Sequence, residues 1–232
     1  MKQLFESAGC AGEQLQQHPV KHQPADVICT LRGETPDVIL VGAHFDYVDR
    51  GDGVIDNWSG ASLLPSLFTS LKTQPKLKHT FIFAGFSGEE LGLIGSTAYV
   101  KDLSADQLQT IRAAVIIDTL ALGPTKVWAS RANKPLLGLL FATSRTMKLP
   151  LTSVNVDNFG ESDEEPFIAK KVPTVTIHSL TSATIPVLHS PKDNWSAVKL
   201  DDYYESYKLL SGYLAILDRY LDSALAADAK AK

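Results

Sequence analysis

Two histidines and several carboxylates fall where short apolar runs end, and their types suit metal ligation and acid–base chemistry. His44-Phe45-Asp46 follows the run 37–43, and Ser87-Gly88-Glu89-Glu90 follows the run 80–86. Asp118 closes 113–118, and His189 lies in a loop after 172–177. Between the first two, Asp56-Asn57-Trp58-Ser59-Gly60 occupies a glycine-rich loop that leads into a helical pattern. Taken singly, each has a plain structural reading. Asp56 or Ser59 can cap the helix; Ser87-x-x-Glu90 and Ser162-x-x-Glu165 are capping-box patterns. A lone His44 or His189 is more often a hydrogen-bonded structural residue, and Asp118 a polar strand end. Taken together, two histidines and three carboxylates supply the nitrogen and oxygen ligands that Zn²⁺ prefers. A carboxylate shared by two cations, with one histidine and one further carboxylate on each, makes a dinuclear site suited to hydrolysis. Glu89 and Glu90 offer a base and a ligand side by side. Asp46 is placed to hold the His44 imidazole by a hydrogen bond.

These residues need a scaffold that brings strand ends together. The runs 27–31, 37–43, 80–86, 113–118 and 172–177 read as strands, and 126–130 as a short one. Continuous apolar runs suit strands buried on both faces. Helical patterns cover 59–71, 93–100, 135–147 and 200–221. The first carries Leu63, Leu64, Leu67, Phe68 and Leu71 on one stripe. The last carries Leu200, Tyr203, Tyr207, Leu210, Leu214, Leu217 and Leu221. Alternating strands and helices predict an α/β protein, a three-layer α/β/α sandwich on a mixed, mostly parallel sheet. In such sheets ligands bind outside the carboxyl ends of the strands, where these motifs fall. One domain is expected over 1–232, with a partial N-terminal helix and loop over 1–24 and a frayed tail over 223–232.

Composition narrows the function classes. With 44% hydrophobic and 21% charged residues, the chain is neither disordered nor fibrous. A net charge of −4 gives no basic face for phosphates, so nucleic acid is not an expected partner. No apolar run approaches the roughly 20 residues of a membrane span. The first residues have no apolar core of a secretory signal. Cys10 and Cys29 are too few for a disulfide scaffold or a cysteine zinc site. One bridge between them is compatible with the count, but two buried thiols are expected.

In this order, the motifs His44-Phe45-Asp46, Asp56-Asn57-x-Ser59-Gly60, Gly88-Glu89-Glu90, Asp118 and His189 resemble the ligand set of the di-zinc aminopeptidase family. That family holds bacterial secreted leucyl-type aminopeptidases, glutaminyl cyclases and the inactive transferrin-receptor ectodomain. The resemblance runs from about Val27 to Leu221. It implies two Zn²⁺ per chain, with Asp56 bridging them and followed by a cis peptide bond. His44 and Asp118 would complete one zinc and Glu90 and His189 the other, with Glu89 as general base. It also implies a peptide substrate that loses its N-terminal residue. Family members are commonly exported, and the chain is expected to begin inside the family's first helix. Oligomeric state is not legible.

Some positions depart from the pattern. Leu188 stands where aminopeptidases often carry a tyrosine that polarises the scissile carbonyl. Glu164 replaces the histidine of a Ser-Asp-His pattern, which argues against the cyclase branch. Trp58 and Ile55 are bulky, so Trp58, with Leu188, is an expected substrate contact; core packing is the equal alternative for the tryptophan. The rival activities are glutaminyl cyclase, carboxypeptidase and dipeptidase, or a non-catalytic domain of this fold.

Overall fold

The structure is a computed structural model that describes residues 1–158 and 160–231. The chain opens with helix α1 (Lys2–Ser7) and strands β1 (Leu15–His18), β2 (Asp26–Leu31) and β3 (Val38–His44). A π-type turn, Val54–Trp58, leads into the single turn α2 (Ser59–Ala61) and helix α3 (Leu63–Lys72). Then come β4 (Thr80–Phe86), α4 (Ile94–Asp102), α5 (Ala105–Thr110), β5 (Ile111–Ile117) and the two-residue β6 (Lys126–Val127). Helix α6 (Lys134–Met147), β7 (Thr152–Ser153), α7 (Glu165–Ala169), β8 (Thr174–His178) and α8 (Leu200–Ala231) complete the order.

The strands form one mixed sheet in the order β1-β2-β4-β3-β5-β8-β6-β7. Its centre, β4-β3-β5-β8, is parallel, and β1, β2 and the β6–β8 pairing are antiparallel. Alternate residues of the central strands point to opposite faces, and each face has its own helices. Ile39, Val41, Val115 and Ile177 pack with Leu64, Leu67, Phe68, Leu140, Leu214 and Leu217 from α3, α6 and α8. Leu40, Ala84, Ala114 and Ile116 pack with Tyr99, Val100 and Phe167 from α4 and α7. That is the expected three-layer sandwich.

Three expectations need correction. The first 24 residues contain a strand as well as a helix, because β1 adds to the sheet edge beside β2. Cys10 and Cys29 form a disulfide rather than two thiols. Both are fully buried in the core cluster that also takes Phe5, so packing of the N-terminal segment on β2 brings the sulfurs together. The C-terminal helix runs on to Ala231 instead of fraying after 222. Alanine-rich sequence favours helix there, and Leu225 still packs against the core. At the other end of the same helix Leu200 is exposed, so the apolar stripe starts at Tyr203.

Candidate active site

Parallel strands point their carboxyl ends the same way, which is how four distant segments meet. His44 is the last residue of β3, Ser87 follows β4, Asp118 follows β5, and the loop after β8 brings in His189. The register places His44 beside Phe86, and Ile117 beside Ile177. Asp56 enters from the turn between β3 and α2, whose Asp56–Asn57 peptide is cis.

The Asp56 carboxylate lies between the two imidazoles. His44 Nε2 is 3.3 Å from Asp56 Oδ1, and His189 Nε2 is 3.3 Å from Asp56 Oδ2. Each histidine has a second carboxylate at hand: Asp118 Oδ1 lies 3.7 Å from His44 Nε2, and Glu90 Oε2 lies 2.9 Å from His189 Nε2. Glu89 Oε2 is 4.0 Å from His44 Nε2. Two overlapping sets of potential metal ligands result, His44–Asp56–Glu90 and His44–Glu89–Asp118, with ligand atoms within 4.8 Å of one another in each. Two clustered candidate sets of this kind suggest a dinuclear metal site.

This arrangement has matching sequence support: residues 26–214 fit the model of peptidase family M28. The chain belongs to peptidase family M28. It is 31% identical over 168 residues to the aminopeptidase YwaD of Bacillus subtilis, covering 68% of this chain and 36% of YwaD. Its fold resembles LapB of Legionella pneumophila, with a TM-score of 0.79 and 20% identity over 94% of this chain and 64% of LapB. An Acidobacteriales bacterium glutaminyl cyclase shares the fold too, at a TM-score of 0.74 and 17% identity over 94% of this chain and 84% of the cyclase. The chain spans between 18% and 36% of the length of the curated aminopeptidases it matches first.

Around the M28 cluster, backbone amides and buried side chains fix the carboxylates. Asp46 accepts the N–H groups of Glu89 at 3.1 Å and Glu90 at 3.2 Å. Its backbone oxygen lies 3.3 Å from His44 Nδ1 and its carboxylate 3.6 Å from the same atom. Asn57, fully buried, donates to the Ile117 oxygen and accepts the N–H groups of Gly60 and Thr119. That staples the Asp56 turn to the end of β5. A Cβ at Gly60 would sit 2.5 Å from Asn57 Oδ1 and 2.7 Å from the Ile117 oxygen, so only glycine fits.

Electrostatics follow from crowding acids in a buried place. Among protein groups alone, burial first, and then the charges of Asp118, Asp163 and Glu90, push the Glu89 carboxyl up to about 10. Burial and Asp56 raise Glu90 to about 7. Asp56 is the exception: against the cost of burial, hydrogen bonds from His189 and His44 hold it well below the usual range. Hydrogen bonds to Asp118, Asp46 and Asp56 raise His44 despite its full burial. A cluster with this excess of carboxylates has room for positive charge.

The capping readings do not survive. Ser87 begins no helix; its hydroxyl donates to the Pro24 oxygen and to Asp26. Ser162 makes no side-chain cap on α7, whose N-cap is Glu164. Ser59 donates to the Ile55 oxygen and accepts the Leu120 N–H, tying the turn to the strand end instead of capping α2.

A cavity of about 340 Å³ opens beside the cluster and is walled by Leu188, Trp128, Val156, Thr176, His178 and Leu180. Leu188 is therefore where a substrate contact would be. Trp58 is not among the lining residues; half-buried, it packs on Phe45 and against the main core, the alternative the sequence left open. Glu164 is buried within 3.6 Å of Arg131, occupied with an ion pair.

Two residues escaped the reading of the sequence. Asp193, in the loop after His189, accepts the N–H groups of Ile55 at 2.6 Å and Asp56 at 3.2 Å. His178 ends β8, with Nε2 2.9 Å from the Val154 oxygen and Nδ1 accepting the Leu180 N–H at 3.0 Å. Only the family-like loop around His189 hinted at Asp193, and an in-register histidine one residue past the apolar run was the sole sign of His178.

Proposed function

We propose that this chain carries the catalytic centre of a dinuclear zinc aminopeptidase, which removes the N-terminal residue from peptides with a free α-amine. The observation that carries this reading is Asp56, one oxygen on His44 and the other on His189, each histidine with a carboxylate of its own. The donor set fits zinc: two imidazole nitrogens, carboxylate oxygens and no thiolate. Glu90 Oε1, buried without a hydrogen-bond partner among the described residues, is the kind of atom a cation would satisfy. In this reading Asp56 would be shared between two ions, with His44 and Asp118 holding one and Glu90 and His189 the other. The two ions, when bound, would polarise the scissile carbonyl and make water a better nucleophile near neutral pH.

The remaining work falls to side chains of the chain. Glu89 takes a proton from the attacking water and passes it to the leaving amine, the role of a general base and then acid. Positive charge beside Glu89 would counter the rise that burial imposes on it, leaving it ionised as a base must be. Asp46 keeps Glu89 and Glu90 in register through their N–H groups and restrains the His44 ring. Leu188 offers no hydrogen-bond donor to a developing oxyanion. The apolar wall of Trp128, Val156 and Leu180 shields the reacting end from bulk water.

The glutaminyl cyclase reading has one point in its favour, the compact cyclase whose chain is covered to 84%. Glu164, paired with Arg131 where that branch carries histidine, stands against it. Zinc analysis together with a substrate screen tests the proposal. Two Zn²⁺ per chain, chelator-sensitive cleavage of aminoacyl anilides and no cleavage of their N-acetyl forms are expected. Activity that persists in chelator, or faster turnover of N-acetylated substrates, overturns it; pyroglutamate release from N-terminal glutamine would move the assignment to the cyclase.

A further inference from the structure

The segment bearing Glu89 and Glu90 is gripped on two sides. Asp46 takes the N–H groups of the two glutamates themselves. On the far side Asp26, the first residue of β2 and fully buried, accepts the Ser87 N–H at 2.9 Å and the Ser87 hydroxyl at 3.2 Å, both through Oδ1. Its Oδ2 lies 3.3 Å from Nδ1 of His18 on β1, and Nε2 of that ring lies 3.0 Å from Asp102 at the end of α4. Helix α4 also starts against this carboxylate: a Cβ at Gly95 would come within 2.4 Å of Asp26 Oδ1 and 2.5 Å of the Ser87 oxygen. Gly88, with φ +69°, makes the turn that follows Ser87. One carboxylate thus joins the sheet edge, the end of β4 and the first turn of α4.

We infer that Asp26 is a positioning residue for the hydrolysis, fixing Ser87 and through it the placement of Glu89 and Glu90 against Asp56 and the histidines. The inference rests on the reading of Glu89 as base and Glu90 as ligand. Burying a carboxylate is unfavourable unless its hydrogen bonds are made. Here those bonds end on the segment that reaches the site. Losing them frees the Ser87 N–H, leaves the hydroxyl held by the Pro24 oxygen alone, and puts the slack two and three residues from the two glutamates. Displacements of about 1 Å at reacting groups can cost about 10²-fold in rate. Partners that orient ligating residues typically cost about 10- to 100-fold in metal affinity or activity when removed.

The test compares Asp26→Ala, Asp26→Asn and His18→Ala in the full chain. Folding is checked by circular dichroism, kcat and KM are measured separately on an aminoacyl anilide, and zinc affinity is measured by chelator competition. Asp26→Ala should lower kcat by about 10- to 100-fold with little change in KM, and should weaken one of the two zinc sites. Asp26→Asn keeps an acceptor for Ser87 and should restore most of both. His18→Ala frees only Oδ2 and should give a smaller loss of kcat in the same direction. A folded Asp26→Ala protein with wild-type kcat and zinc affinities overturns the inference, as does an Asn variant as impaired as the Ala one. If Asp26→Ala does not fold, wild-type kcat and zinc affinities in both Asp26→Asn and His18→Ala overturn it. Should the wild type turn over no aminoacyl substrate, the proposed function fails, while weaker zinc in Asp26→Ala alone still supports the positioning role.

Discussion

The carboxylate of Asp193 holds the backbone of Asp56, accepting the N–H groups of Ile55 at 2.6 Å and Asp56 at 3.2 Å. The contact spans 137 residues and joins the loop of His189 to the turn of the shared carboxylate. A third bond in the same seam runs from the Asp52 N–H to the Asp193 backbone oxygen. Two otherwise unrelated loops are thereby set at a fixed distance, which is what two ligands of neighbouring cations require.

Asp193→Ala should therefore damage metal binding and stability together. It strands two N–H groups, and an unsatisfied buried donor costs about 1–3 kcal/mol. Urea unfolding should show a loss of that order, and zinc analysis should show less than two ions retained. A variant with wild-type zinc content and midpoint would mean that the loops are held by other contacts.

Much of this was legible in the sequence, and the limits have physical reasons. Buried strands read well, because DVILVGA and AAVIID show their environment in composition alone. The candidate cluster stood out because donor chemistry restricts residue type: His44, Asp56, Glu90, Asp118 and His189 are histidines and acids at strand ends or in the loops beside them, and the structure brings them together. Asp193 did not, because a carboxylate that accepts backbone N–H groups looks in sequence like any polar loop residue. Strand β1 did not either, since LQQH shows little apolar patterning and joins the sheet only through β2. Pairing of Cys10 with Cys29 depends on how the N-terminal segment packs, which a spacing of 19 residues does not reveal. Whether Trp58 would pack on Phe45 and the core or face the cavity is a matter of which way one turn faces, which its residue type does not reveal.

Glu89 and Glu90 should separate cleanly. Glu89→Gln is expected to keep both zinc ions and lose kcat by about 10²–10⁴-fold, the scale of general-base catalysis. Glu90→Gln should lose zinc, since its Oε2 lies 2.9 Å from His189 Nε2 and its Oε1 has no hydrogen-bond partner among the described residues. Metal analysis beside single-turnover rates reads both. Equal zinc loss in the two variants would show that the roles are misassigned.

The disulfide should matter for stability more than for catalysis. Closing a loop of this size removes unfolded-state entropy worth about 3 kcal/mol. The Cys10→Ser, Cys29→Ser double variant should unfold at lower urea by that order and keep its kcat well below the transition. Thiol titration checks the bond: no free thiol before reduction and two after. Bridges of this kind persist in oxidising compartments, so protein made in a reducing cytosol should show both thiols free.

His178 predicts an acid-side loss of stability. Burial lowers its pKa from 6.5 to about 4, against the opposing effect of the Nε2 bond to the Val154 oxygen, and Nδ1 faces the Leu180 N–H. A second proton has no place to go. The folded pKa lies below the unfolded one, so the unfolded chain binds the proton more readily. Stability from this group is complete above pH 6.5 and drains away as pH falls to 4, by up to about 3 kcal/mol. Urea unfolding at pH 7, 5.5 and 4, with zinc content matched, should give a steeper decline for the wild type than for His178→Gln. Parallel declines would assign the acid sensitivity to the metal-site carboxylates instead.

Leu188 lines the cavity beside His189 and brings no donor to it. Donors aimed at a developing oxyanion are worth about 3–4 kcal/mol each, and they act in the transition state more than in the bound ground state. If hydrolysis here relies on the cations alone for that charge, the wild type is a slow peptidase with room for improvement. Leu188→Tyr should then raise kcat, by up to about 10²-fold, and leave KM nearly unchanged. The competing effect is steric: Leu188 also packs against the small apolar cluster of Ile55, Leu180 and Trp128, and a phenol that keeps this contact must point its ring into the cavity. Steady-state kinetics on short and long aminoacyl substrates separate the two. A gain in kcat for both supports the missing donor, whereas a rise in KM that grows with substrate size, at constant or lower kcat in a folded, zinc-loaded variant, assigns Leu188 to the wall alone.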